Sequence, residues 1–157
     1  MQNIKSPTIQ NLEAAFAGES MAHIKYMWFA RQCRKAGDEA TAKVFEDTAA
    51  QEMLHAFGHA ELLFADETMT PAKCLQYAIE GETHEYTEMY PKFRHEAMQE
   101  GHDAAVAEID EQIAESKEHA EMFQAVLDKA AKRFAALAKV EEKHAKHYQA
   151  QKDAIAA

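Results

Sequence analysis

The sequence predicts an all-α fold, a four-helix bundle with an additional or extended C-terminal helix. Two observations carry this. Five glycines and three prolines in 157 residues leave few backbone breaks, and the composition leans to Ala, Glu, Lys, Gln, Met and His, residues that suit helices better than strands. Apolar and small residues also recur at alternating three- and four-residue spacing along nearly the whole chain, the mark of a helix face. The length suits one domain over 1–157, with a core bundle over about 6–128 and a C-terminal helical segment over about 129–157.

The first helix opens at Ser6-Pro7, an N-cap followed by proline at the first helical position. Its face runs Ile9, Leu12, Phe16, Glu19, His23, Tyr26 and Ala30, with Glu19 standing where a hydrophobe is expected. Gly37-Asp38 breaks this helix and caps the second, whose face is Thr41, Phe45, Thr48, Glu52, His55, His59 and Leu62 and which is expected to give out near Asp66. Thr70-Pro71 opens the third, with Leu75, Ala78, Glu82, Glu85, Met89, Phe93 and Glu96 on its face. Pro91 lacks a backbone donor and is expected to kink it. Gly101 is the next break. Beyond it Ile109, Ile113, Ser116, His119, Phe123, Leu127, Ala130, Phe134, Leu137, Glu141, His144 and Tyr148 keep the spacing throughout. This is either one very long helix or two helices, with Asp128 to Arg133 as the expected turn.

A formal net charge of −10 argues against sequence-independent binding to nucleic acid, which needs a basic surface. No stretch approaches the roughly 20 apolar residues of a membrane span. Met1 to Lys5 lead into no apolar run, so no signal peptide is expected and the expected compartment is the cytoplasm. Two well-separated cysteines, Cys33 and Cys74, cannot build a zinc ribbon or an iron–sulfur cluster. They are expected to be free thiols. Met21, Met27, Met53, Met89, Met98 and Met122 read most simply as core filler.

Chemistry gathers on carboxylates and histidines in the inward register. Glu52 and His55 form a Glu-x-x-His pair, and Glu141 and His144 form a second. At i and i+3 both side chains share a helix face and can grip one metal or bridge to a neighbour. Two such motifs, with single glutamates from two other helices, make up the ligand set of ferritin-like dimetal bundles. Glu19 fills one single position; Glu82 and Glu85 fill the other and add a carboxylate. Unpaired carboxylates are costly in an apolar core, and oxygen and imidazole donors suit iron and manganese. Each piece alone is unspecific: a lone Glu-x-x-His is usually a solvated pair, and a lone inward glutamate usually pairs with Lys or Arg. Their coincidence on four helices is specific.

These strings resemble the rubrerythrin family, closely from about residue 8 to 101. Ala15-Phe16-Ala17-Gly18-Glu19-Ser20, Gln51-Glu52-Met53-Leu54-His55-Ala56 and Gly81-Glu82-Thr83-His84-Glu85-Tyr86-Thr87-Glu88-Met89-Tyr90-Pro91 are similar to its first, second and third helix signatures. The resemblance implies that Glu19, Glu52, His55, Glu82 and Glu85 bind two iron ions, with manganese or zinc as possible substitutes. It implies that Glu85 is the carboxylate that exchanges with the second helix's histidine as iron changes oxidation state, and that Tyr26 and Tyr86 lie near the centre. The 157 residues hold no paired Cys-x-x-Cys motif, so the likeness is to the short, erythrin-only form. Electrons are then expected from a separate rubredoxin- or ferredoxin-type donor.

The fourth helix departs from the family pattern. Counted without gaps from Gly101, the family's Glu-x-x-His falls on Ser116 and His119, so the glutamate is gone. Glu115 could substitute if this helix carries a π-bulge. The later Glu141 and His144 fit the motif unchanged but lie about 25 residues further on. They are the expected pair, because only that segment keeps a carboxylate against the metal charge; a fifth helix or exchange with a partner subunit would bring them in.

By resemblance, the expected function is a peroxidase that reduces hydrogen peroxide to water in oxidative stress defence, in a homodimer with possible helix exchange. Within the same fold the alternative is a ferroxidase or iron-handling protein. A third reading is a metal-stabilised helical oligomer without catalysis, with Phe134 to Ile155 as its contact face.

Overall fold

The computed structural model describes residues 6–64 and 68–156. Every element in them is helical, and the chain divides into two compact units between Met69 and Thr70. Among the described residues no helix is long and apolar enough to cross a membrane.

The first unit is an antiparallel pair, α1 (Pro7–Lys35) and α2 (Glu39–Leu63). The Ser6 hydroxyl accepts from the Ile9 amide at 3.3 Å and Asp38 accepts from Thr41 at 2.9 Å, so both starts satisfy donors that the helix leaves orphaned. Between them Gly37 takes φ +84°, which costs a residue without Cβ least. The expected face of α1 is the inward one throughout, from half-buried Ile9 to buried Ala30. On α2 the closest packing lies one position aside, on Ala42, Ala49 and Ala56. A methyl every seventh residue lets the two backbones approach, and the larger Phe45, Thr48 and Glu52 sit half-buried alongside. The His23 ring contributes a bond to the Ala49 carbonyl at 2.8 Å. Arg34 closes the turn end, reaching Glu39 at 2.8 and 2.9 Å and Glu46 at 2.9 Å. The expected end of this helix near Asp66 lies outside the described residues.

In the second unit, α3 (Pro71–His84) passes through a π-helical segment, Glu85–Met89, into α4 (Tyr90–Glu100), and α5 (Asp103–Ala156) packs back along all three. The Thr70 hydroxyl caps α3 through the Lys73 amide at 3.2 Å. Gly101, at φ +74°, turns the chain, and the His102 amide returns to the Ala97 carbonyl at 3.0 Å. This is the left-handed C-terminal cap that glycine favours. The expected kink at Pro91 takes the form of the wider π turn before it, which spares the carbonyl that the proline ring would strike and that has no N–H to receive. The wider turn also moves the register by one residue. The expected inward positions Phe93 and Glu96 are exposed, and Arg94 and Ala97 face inward instead. Arg94 forms a two-pronged bond to Asp110 of α5, 3.0 Å at one prong.

Three further expectations change. No turn interrupts Asp128 to Arg133: α5 is one helix of 54 residues. It carries no π-bulge at Glu115 either; among the described residues the π segment belongs to the preceding helical arm. Five of the six methionines expected as core filler, Met21, Met27, Met53, Met98 and Met122, are exposed, while Met89 is half-buried. The buried positions go to alanines and to Ser116. Cys33 and Cys74 are free, as expected.

Candidate metal centre

In the first unit Glu19 of α1 meets Glu52 and His55 of α2. Each offers a ligand atom, and the three atoms lie within 4.8 Å of one another. The helical spacing explains the α2 pair, with His55 Nδ1 2.8 Å from Glu52 Oε2. Both carboxylates are half-buried and His55 is exposed. Among the described residues neither Glu19 nor Glu52 forms a salt bridge with a lysine or arginine. The ordinary explanation of an inward glutamate, a basic partner, is therefore missing here. Two carboxylates and an imidazole without a cationic side chain are a donor set that fits iron or manganese.

The second unit brings a second group together. Glu82 Oε1 lies 3.5 Å from His119 Nδ1. The Ser116 hydroxyl donates to Glu85 Oε2 at 2.9 Å, and Ser116 is 4% exposed. The gap-free counterpart of the fourth helix's motif thus meets the third helix's two carboxylates, with serine bonding a carboxylate rather than supplying one. Tyr90 also belongs to this group. Burial, then the negative charge of Glu85, Glu82 and Glu108, holds its phenol above the ordinary value, so the proton stays on oxygen. The π turn explains its place: the Tyr90 amide returns to the Glu85 carbonyl, five residues back. Spacing on an ordinary helix would have hidden this neighbour; Pro91 behind it was the available signal.

Other expected residues fall elsewhere. Glu141 and His144 do form their own pair, 3.8 Å apart on α5, and both are exposed. They lie 25 residues beyond Ser116 and His119 on the same uninterrupted helix, about 37 Å along its axis. Within the unit, α5 does not bring them to Glu82 and Glu85. Glu115 is exposed, one position aside from buried Ser116. Tyr26 packs its ring against Phe45 at 5.9 Å and Phe29 at 6.4 Å. It sits two helical turns from Glu19, about 10 Å along α1. Tyr86 is half-buried in the π segment.

A family model described as Rubrerythrin matches residues 10–127. Nigerythrin from Nitratidesulfovibrio vulgaris is 37% identical over 129 residues, 74% of this chain and 63% of that protein. Rubrerythrin from the same organism is 37% identical over 131 residues, 75% of this chain and 68% of its own length. Rubrerythrin from Porphyromonas gingivalis is 37% identical over 134 residues, 78% and 66% respectively. The chain thus spans about two thirds of the length of these relatives. Among solved structures, the fully reduced, all-ferrous state of nigerythrin is similar at a TM-score of 0.41 and 31% identity, covering 83% of this chain and 70% of that one.

Proposed function

The chain belongs to the rubrerythrin family, and from that premise we propose that it is a di-iron peroxidase reducing hydrogen peroxide to water with electrons from a separate donor protein. The observation that carries the reading is the pair of carboxylate–histidine groups with which no lysine or arginine among the described residues forms a salt bridge. Two irons, when bound, supply the two electrons that cleavage of one O–O bond consumes and act on the departing oxygen as Lewis acids.

The proposed ligands are Glu19, Glu52 and His55 from the first unit and Glu82, Glu85 and His119 from the second. Each unit thus supplies two carboxylates, which match the two positive charges of one ferrous ion. The charge argument that favoured Glu141 therefore loses its force, and Ser116 can take the glutamate's place at no cost in neutrality. Ser116 holds one oxygen of Glu85 by its hydroxyl and leaves the other free, so the extra carboxylate is oriented while able to change partners. Tyr90, kept protonated by burial and by its acidic neighbours, presents a neutral hydroxyl donor beside that carboxylate.

Protein loaded anaerobically with ferrous iron tests the activity. Oxidation is expected to be faster with peroxide than with oxygen; equal rates would leave the iron-handling reading in its place. Iron stoichiometry tests the ligands. Loss of iron is expected in His119→Ala, and retention in Glu141→Ala and His144→Ala; the reverse pattern would overturn the assignment of His119.

A further inference from the structure

The last part of α5 lies beyond the residues that the family model matches, and it carries an ordered pattern. From Ile109 the positions Ile109, Ile113, Ser116, Ala120, Phe123, Leu127 and Ala130 alternate in steps of four and three, and each is buried or half-buried within the second unit. The same alternation continues without a slip through Phe134, Leu137, Glu141, His144, Tyr148, Gln151 and Ile155, where every residue from Ala131 to Ile155 is exposed. Phe134 is 72% exposed, Leu137 57%, Tyr148 68% and Ile155 88%. A strict 3.5-residue repeat is the seam of a helix that pairs with another helix. In proteins most helical stability comes from packing an amphipathic face. Lys132, Lys139 and Lys146 all stand on the side away from the seam, and Ala131, Ala138 and Ala145 flank it, leaving room for a close backbone.

We propose that residues 130–155 of α5 pair with the same segment of a second copy of this chain, antiparallel and centred between Glu141 and His144. The polar layer selects both partner and direction. Paired in parallel, the seam would set Glu141 against Glu141 and His144 against His144 of the two copies. Like groups directly opposed in a desolvated seam are unfavourable. Paired antiparallel about that centre, Glu141 of each copy meets His144 of the other. The same register places Leu137 opposite Tyr148, Ala130 opposite Ile155, and Phe134 opposite the aliphatic stem of Gln151. The charges are thus self-complementary in one direction only. A lone polar layer of this kind specifies register at a cost in stability.

Sedimentation equilibrium on the full chain, with and without Leu137→Glu, tests the pairing. The variant is expected to have half the mass of the parent, with its helical circular dichroism largely kept, while Lys139→Glu on the outer side keeps the parent mass. Equal masses for parent and Leu137→Glu overturn the proposal, including the case in which both are monomers. Direction is tested by oxidation in a Cys33→Ser, Cys74→Ser background. Leu137→Cys combined with Tyr148→Cys is expected to give a covalent dimer. Leu137→Cys alone is not, since its two copies would stand about 16 Å apart, well beyond the reach of a disulfide. A covalent dimer from Leu137→Cys alone overturns the antiparallel register.

Discussion

Replacing Ser116 by alanine removes one buried hydroxyl and, with it, the bond that orients Glu85. A hydrogen bond to a charged group contributes about 1.5–3 kcal/mol. Glu85 is half-buried, so water can recover part of that once the hydroxyl is gone, which places the loss at about 1–1.5 kcal/mol. The atom removed is small and Ser116 is packed at 4% exposure, so cavity cost adds little. In metal-free protein this corresponds to a fall of roughly 2–5 °C in Tm. Since side-chain removal can destabilise for other reasons, the sharper measure is the cycle of Ser116→Ala, Glu85→Ala and the double variant. Urea unfolding followed by far-ultraviolet circular dichroism is expected to show about 1 kcal/mol of coupling. A coupling below about 0.3 kcal/mol, the level found for independent sites, would refute the bond's role in holding Glu85.

Gly37→Ala is expected to destabilise by about 1 kcal/mol, because φ +84° suits glycine alone and no neighbouring atom lies within 4 Å to clash; an unchanged urea midpoint would contradict a purely backbone cost. In metal-free protein the Tyr90 phenol, seen by near-ultraviolet titration in a background with Tyr26, Tyr77, Tyr86 and Tyr148 all replaced by Phe, is expected to ionise above its ordinary 10.0. Glu85→Gln should bring it down, and a midpoint at or below the ordinary value would count against the acidic neighbourhood. Arg34 holds the carboxyls of Glu39 and Glu46 below their ordinary 4.5 by hydrogen bonding. A depressed carboxyl stabilises the fold above its unfolded pKa and loses that contribution as pH falls through its folded value. The stability gap between wild type and Arg34→Ala is therefore expected to be present at neutral pH and to close in acid. A gap that widens on acidification would reverse the sign of this reasoning.

Local rules wrote much of the chain. Ser6-Pro7, Gly37-Asp38, Thr70-Pro71 and Gly101 mark real helix ends because caps and turns are satisfied by side chains and φ preferences within a few residues. The spacing of Glu19, Glu52 with His55, and Glu82 with Glu85 fixed which face each ligand candidate occupies, since helical periodicity is a property of the backbone alone. Family membership, likewise, rests on the order of residues in the chain. Three things were decided only in the folded molecule. The π segment moved the face after Met89 by one residue, because relief of Pro91 depends on the carbonyls before it and not on any pattern of hydrophobes. The α1–α2 contact settled on alanines beside the expected face, because close packing rewards small side chains that periodicity does not distinguish from large ones. And on the last helix, what stands near the third-helix carboxylates depends on distance. Glu141 with His144 satisfies the motif better than Ser116 with His119, but a motif records spacing on one helix and not what stands opposite. Only the packing of α5 against α3 sets His119 beside Glu82 and Ser116 beside Glu85, and leaves the better motif on an exposed seam some seven turns away.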